Sequence, residues 1–256
     1  MPTRLALIID PPGDGAWNMA VDEALLDWAI EHGEAILRFY RWREPTVSLG
    51  YFQKHADRQR HPASAALPCV RRHSGGGALI HDHELTYSLA LPAAALPDGG
   101  AESCYRRVHA AVVSVLENAL PGAELKLCDS AIVRPPADEP FLCFQRRSEG
   151  DLLAVSAGAE HKVMGSAQRK RRGAVLQHGG LLLAQSASAP ELPGLAELFG
   201  GDISERTADL VAPLAEAMAG CLDAELAEAT LGREMLRKAE RELAGRFGNV
   251  AWSKRR

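Results

Sequence analysis

The sequence predicts an α+β fold: a mixed β-sheet with flanking helices, ending in a short helical C-terminus. Three observations predict it. Short β-rich runs dominate the first two thirds of the chain, and only two strong helical patterns break them. Strands and helices do not alternate regularly, which separates the layout from βαβ folds with a parallel sheet. After about residue 205 the composition shifts to Ala, Glu, Leu and Arg, which favour helix. A chain of 256 residues with 46% hydrophobic and 24% charged side chains can bury one sizeable core. One domain over residues 1–256 is therefore expected, with a helical tail from about 205.

Residues 17–30 place Val21, Leu25 and Trp28 at helical spacing, with Asp22 and Glu23 in the first turns, and read as a helix. Residues 36–42 and 46–51 are short β-rich runs around Glu44-Pro45, the pattern of a hairpin-like pair. Residues 85–91 alternate large apolar and small side chains, as a half-buried strand does. In residues 103–119, Tyr105, Val108, Val112, Val115, Leu116 and Ala119 make one helical face, and Pro121-Gly122 stops it. Pro135, Pro136 and Pro140 mark an irregular loop leading to Cys143. Residues 151–156, 162–168 and 175–183 follow as strands, the last interrupted by Gly179-Gly180. In the tail, Leu210, Leu214, Met218 and Leu222 form one helical stripe, and Leu236, Ala239 and Leu243 begin a second.

The formal net charge of -4 argues against a dedicated nucleic-acid binder. The apolar run at residues 5–9 is too short for a signal-peptide core. No stretch reaches the roughly 20 apolar residues of a spanning helix. A cytoplasmic protein with no nucleic-acid or membrane partner is expected. Five widely spaced cysteines, an odd number, do not make a disulfide framework and leave at least one free thiol. Cys69, His73, His81 and His83 fit no paired zinc spacing, so no metal is expected.

Three constellations carry candidate chemistry. The first is Arg71-Arg72-His73-Ser74-Gly75-Gly76-Gly77-Ala78. Consecutive glycines let backbone approach a ligand closely, and the arginines can donate to carbonyl, carboxylate or phosphate oxygens. A flexible surface turn has the same signature. The Gly-Lys-Ser/Thr ending of a phosphate-binding P-loop is absent. The second is Cys143-Phe144, a thiol at the end of the proline loop. A neighbouring cation would make it a nucleophile, although a free thiol is more often an inert buried one. The third is Lys162-Val163-Met164-Gly165-Ser166-Ala167-Gln168, with Gln177-His178-Gly179-Gly180 after it. On a strand, Lys162 would share a face with Met164 and Ser166, pointing into a site or standing as a solvated strand end.

In combination these motifs resemble the family of lipoate-protein ligases, octanoyltransferases and biotin ligases. They occur in family order, from Asn18-Met19-Ala20-Val21-Asp22-Glu23-Ala24 through the glycine segment and His81-Asp82 to the lysine strand and Gln177-His178-Gly179. Within the family the chain resembles most the LipM-type octanoyltransferases. Glu84-Leu85-Thr86-Tyr87-Ser88 follows the His-Asp pair, and Cys143-Phe144 precedes the lysine strand at that branch's spacing. The ligase-like Asn-Asp pair is missing before the lysine strand, with Cys128-Asp129-Ser130 nearby. Two departures stand out: Gln145-Arg146-Arg147-Ser148-Glu149-Gly150 replaces the branch's acidic and aromatic residues, and residues 156–161 look longer than a tight turn.

The resemblance implies a biotin-ligase- and lipoate-ligase-like catalytic fold. It implies transfer of octanoyl from acyl carrier protein to a lipoyl domain or glycine-cleavage H protein, in lipoate biosynthesis, with no cofactor and no ATP. Cys143 would be the acyl-accepting nucleophile and Lys162 its electrostatic partner. Arg72, Ser74, Gly75, Gly76, Gly77, His81, Gly165, Ser166, Ala167, His178 and Gly179 would bind substrate. Arg169-Lys170-Arg171-Arg172 would dock an acidic carrier, or form a solvated turn. A monomer is expected. An ATP-dependent lipoate ligase, an amidotransferase between carrier domains and a non-catalytic acyl binder are the alternatives.

Overall fold

The computed structural model describes residues 3–131, 139–201, 203 and 207–256. Pro135 and Pro136 of the expected proline loop, and the expected tail start near 205, lie outside these residues. In chain order the elements are β1 (Thr3–Ile9), α1 (Gly15–His32), β2 (Ala35–Tyr40), β3 (Thr46–Leu49), β4 (Cys69–Arg71), β5 (Leu79–His81), β6 (Glu84–Leu91) and α2 (Gly100–Ala119). There follow β7 (Glu124–Leu127), β8 (Leu152–Ser156), β9 (Ala159–Arg171), β10 (Ala174–Leu182), α3 (Leu195–Phe199), α4 (Thr207–Gly220), β11 (Ala224–Glu228), α5 (Arg233–Glu242) and α6 (Val250–Ser253).

A large mixed sheet runs β11-β1-β2-β6-β10-β9-β8-β7. β1 lies parallel to β2 and β11, and the remaining pairs are antiparallel. Alternate residues of β2 enter different cores. Leu37 and Phe39 join Val108, Val112 and Leu116 of α2 and Leu210, Leu214 and Met218 of α4. Ile36 faces the other way, joining Val21, Leu25 and Leu26 of α1 and Met235 and Ala239 of α5. Period-two strands between two helical layers produce this arrangement. It also corrects the half-buried reading of β6: all eight of its residues are buried, because both faces of the sheet are covered.

β2 and β3 do not pair as a hairpin. After the bend at Glu44-Pro45, β3 becomes the middle of a second sheet, parallel to β4 and antiparallel to β5. Hydrophobicity marks both strands but says nothing about which partner each finds. Nor is β10 interrupted at Gly179-Gly180; it pairs continuously with β6 and β9.

The β8–β9 connection is tight rather than long. Ala157 and Gly158 (φ 50° and 78°) form its loop, as Arg172 and Gly173 (φ 49° and 82°) do between β9 and β10. Two successive positive φ values match the right-handed twist of the paired strands. The tail holds a strand as well as helices. Residues 224–228 have helix-favouring composition, yet pairing with the open edge of β1 overrides it.

Candidate active site

The glycine segment after β4 is held from behind. Arg72 is buried, and its guanidinium does not line the site cavity. Nη1 donates to Ser48 O and Oγ (2.7 and 2.8 Å), and Nη2 to Gly75 O and Gly77 O (2.9 and 2.8 Å). Two carboxylate–histidine pairs continue this support. Glu84 and His81 are 2.7 Å apart, with His81 2.6 Å from Ser48 Oγ and stacked on Trp42. Asp22 and His178 are 2.9 Å apart, with His178 2.5 Å from Ser74 Oγ. Absent side chains permit close approach at two positions. A Cβ on Gly50 would stand 1.9 Å from Gly76 O, and one on Gly77 would stand 3.0 Å from Cys143 N.

Cys143 is tied to this segment through backbone. Ala78 N donates to Phe141 O (3.0 Å), and Cys143 N to Ala78 O (2.7 Å). A 3₁₀ turn, Cys143–Gln145, then buries Phe144 and leaves Cys143 half-buried. Cys143 lines a cavity of about 420 Å³ together with Gly75, Gly76, Lys162, Ser166 and Ala167. Burial lowers Arg72 to about 10. Burial pushes three of the other four thiols, Cys69, Cys104 (to about 12) and Cys221 (to about 11), upward, as suits inert packing residues.

Lys162 is not a solvated strand end. Its Nζ lies 2.8 Å from Asp151 Oδ2, with both side chains buried, and 5.4 Å from the Phe144 ring centroid. Its expected face is also corrected. A register irregularity opposite Leu152/Leu153 pairs Met164 with Leu152 and Lys162 with Leu153. Val163 and Met164 therefore both enter the core, and Lys162 lines the cavity. A Cβ on Gly165 would stand 2.5 Å from Lys162 Cε, and one on Gly179 would stand 2.2 Å from Ser166 Oγ. These glycines make room for side chains of the site.

Of the residues expected to touch substrate, the structure thus gathers Cys143, Lys162, Gly75, Gly76, Ser166 and Ala167 at one cavity. Arg72, Ser74, Gly77, His81, Gly165, His178 and Gly179 are not among the residues lining that cavity; Arg72 and His178 brace the glycine segment through Gly75, Gly77 and Ser74. Asp151, Tyr105 and His109 escaped the sequence reading. Asp151 accepts from Tyr105 OH (2.7 Å) and Ser148 N (2.6 Å) as well as pairing Lys162. Burial, then the Asp151 charge, pushes the Tyr105 phenol upward, which keeps it a donor. A polar pair four residues apart on the buried face of α2, Tyr105 and His109, was the available signal. Within the basic run, Arg171 pairs with Glu23 (2.6 Å) and with Asp27, and Arg169 donates to His73 O.

The lipoyl protein ligase A/B catalytic-domain model matches residues 14–191. An octanoyltransferase LipM of Carboxydothermus hydrogenoformans is 37% identical over 174 residues, 66% of this chain and 61% of that protein. A LipM of Moorella thermoacetica is 35% identical over 72% of this chain and 67% of that protein. The chain thus spans about three fifths of the first relative's length. Among solved structures, a putative lipoate protein ligase of T. acidophilum superimposes with a TM-score of 0.74 at 23% identity, covering 100% of both chains. A lipoate-protein ligase A bound with ATP superimposes with a TM-score of 0.72 at 21% identity, covering 99% of both. These likenesses confirm the mixed-sheet fold.

Proposed function

The chain belongs to the lipoyl protein ligase A/B catalytic-domain family, and on that premise we propose that it is a protein octanoyltransferase of lipoate biosynthesis. The observation that carries the reading is one cavity lined by Cys143, Lys162 and the glycine segment. Lipoate ligation through an acyl-adenylate has no use for a thiol there.

In the first half-reaction the Cys143 sulfur attacks the thioester carbonyl of octanoyl-acyl carrier protein. The carbon–sulfur bond to the donor breaks, and the donor leaves as a thiol with the proton that Cys143 gives up. One thioester replaces another, so no ATP is consumed and no cofactor is needed. In the second, the lysine amine of a lipoyl domain or glycine-cleavage H protein attacks the octanoyl-enzyme. An amide forms and the Cys143 thiol is regenerated. This is covalent catalysis with ping-pong kinetics. Lys162, oriented by Asp151, donates to the acyl carbonyl oxygen as negative charge develops on it. Arg72, with the His81 and His178 pairs, holds Gly75 and Gly76 at the cavity.

Lys170, which lines the cavity, and Arg172, exposed in the β9–β10 turn, are the members of the basic run that suit an acidic carrier. Cytoplasmic location and a monomeric state complete the reading. Among the described residues no helix is long and apolar enough to cross a membrane.

Two alternatives use the same acceptor. An ATP-dependent lipoate ligase would stall without nucleotide, and an amidotransferase would prefer an octanoylated carrier domain as donor. The test is transfer from octanoyl-acyl carrier protein to a lipoyl domain without ATP, against both alternatives' substrates. Turnover with the acyl carrier donor alone supports the proposal. Strict dependence on ATP or on an octanoylated carrier domain overturns it.

A further inference from the structure

Ser166 lines the cavity, and its hydroxyl meets two hydrogen-bond partners that do not: Tyr87 OH and His109 Nε2, each at 2.7 Å. The direction of every bond around it is forced. His109 Nδ1 lies 2.7 Å from the Gly150 carbonyl oxygen, which can only accept, so Nδ1 carries the hydrogen. The ring is completely buried, and burial lowers it to about 4, so it is neutral and Nε2 is a bare acceptor. The Ser166 hydroxyl therefore donates to Nε2.

From the other side, Gln168 Nε2 donates to Gln177 Oε1 (2.7 Å), which fixes the Gln177 amide. Gln177 Nε2 then donates to Tyr87 OH (2.7 Å). Burial holds the Tyr87 phenol protonated, and its one hydrogen goes to Ser166 Oγ. Ser166 thus has its hydrogen committed and one lone pair taken. What remains for the cavity is a single lone pair, so at this wall the hydroxyl is an acceptor only.

We propose that this lone pair receives an N–H of the attacking lysine amine, with His109 as the positioning residue that fixes the polarity of Ser166. The inference rests on the octanoyl-transfer reading. In the second half-reaction the neutral amine nitrogen uses its lone pair to form the carbon–nitrogen bond. The carbon–sulfur bond to Cys143 breaks, its electron pair returns to sulfur, and the sulfur takes up the amine's surplus proton. An acceptor that holds one N–H turns the nitrogen lone pair toward the acyl carbon without competing for the carbonyl oxygen, which needs a donor. Lys162 is that donor, so the two polarities are divided between two residues of β9. The Ser166 hydroxyl itself offers nothing to a carboxylate or a phosphate oxygen, which also need donors.

The test separates the half-reactions. Wild-type enzyme, Ser166→Ala, Ser166→Thr and His109→Gln are each loaded from octanoyl-acyl carrier protein. The loading rate is measured by intact mass, and the loaded enzyme is then mixed with a lipoyl domain. In Ser166→Ala the ratio of aminolysis rate to loading rate is expected to fall about tenfold, the worth of one hydrogen bond. Ser166→Thr, which keeps the hydroxyl, restores the ratio, and His109→Gln, whose amide can still donate to Gly150 O and accept from Ser166, keeps it near the wild-type value. An unchanged ratio in Ser166→Ala overturns the proposal, as does a Ser166→Thr variant as impaired as Ser166→Ala. Should His109→Gln fail to fold, the Ser166 pair decides alone. A wild-type enzyme that never loads overturns the transfer reading instead, and with it this one.

Discussion

Asp151 turns Lys162 from a strand-end lysine into part of a cavity wall. Both side chains are buried, and the ammonium is 2.8 Å from a carboxylate that also accepts from Tyr105 and Ser148 N. Removing one partner of such a pair strands the other charge away from water. Asp151→Asn is therefore expected to destabilise the fold by about 3 kcal/mol. The double variant Asp151→Asn/Lys162→Met should recover most of that loss, because it strands neither charge. Denaturant unfolding of the single and double variants measures this, and a double variant no more stable than the single would refute the pairing. Cys143 and Lys162 were legible in sequence because motif order singles them out. Asp151 was not, because its partner lies eleven residues on, across a β-hairpin, and nothing local marks a carboxylate as paired. His109 was hidden for a related reason, since a histidine inside an apolar helical stripe looks like any packed residue until Ser166 is beside it.

At the scale of elements, the glycines explain how separate segments come to share one cavity. Gly50 follows β3, and a Cβ there would stand 1.9 Å from Gly76 O. The obstacle is backbone rather than a flexible side-chain end, so the glycine segment must move to admit it. Gly50→Ala is expected to cut octanoyl transfer about tenfold or more, since a misplacement near 1 Å costs up to 10²-fold. Its effect on the thermal midpoint should be smaller, because the large sheet is untouched. Steady-state rates beside a melting curve decide this, and full activity in Gly50→Ala would contradict it. The sequence pattern located most elements, including α1, α2 and the strands β8, β9 and β10. It failed where pairing is decided by distant chain. β2 and β3 are neighbours in sequence but lie in different sheets, and β11 forms from residues that favour helix because the edge of β1 is open.

For the whole molecule, the large sheet is covered on both faces, and the polar groups that enter its core depend on pH. His109 is the plainest case. Burial lowers its folded value to about 4 from an ordinary 6.5, so the folded state binds fewer protons than the unfolded chain between those values. Stability from this residue is complete above about pH 6.5 and is lost as the pH falls toward 4, by about 3 kcal/mol in all. Unfolding free energies of wild type and His109→Gln should therefore converge on acidification through that window, and parallel curves would contradict it. Fold class and family were readable from motif order over most of the chain. What separates a transferase from a ligase is one sulfur in the right cavity. The most direct measurement is the intact mass of the protein after incubation with octanoyl-acyl carrier protein in the absence of ATP. The expected result is one octanoyl adduct, present with Cys143, absent in Cys143→Ala, and discharged by a lipoyl domain. An unmodified wild-type mass, or an adduct that survives Cys143→Ala, would contradict the account.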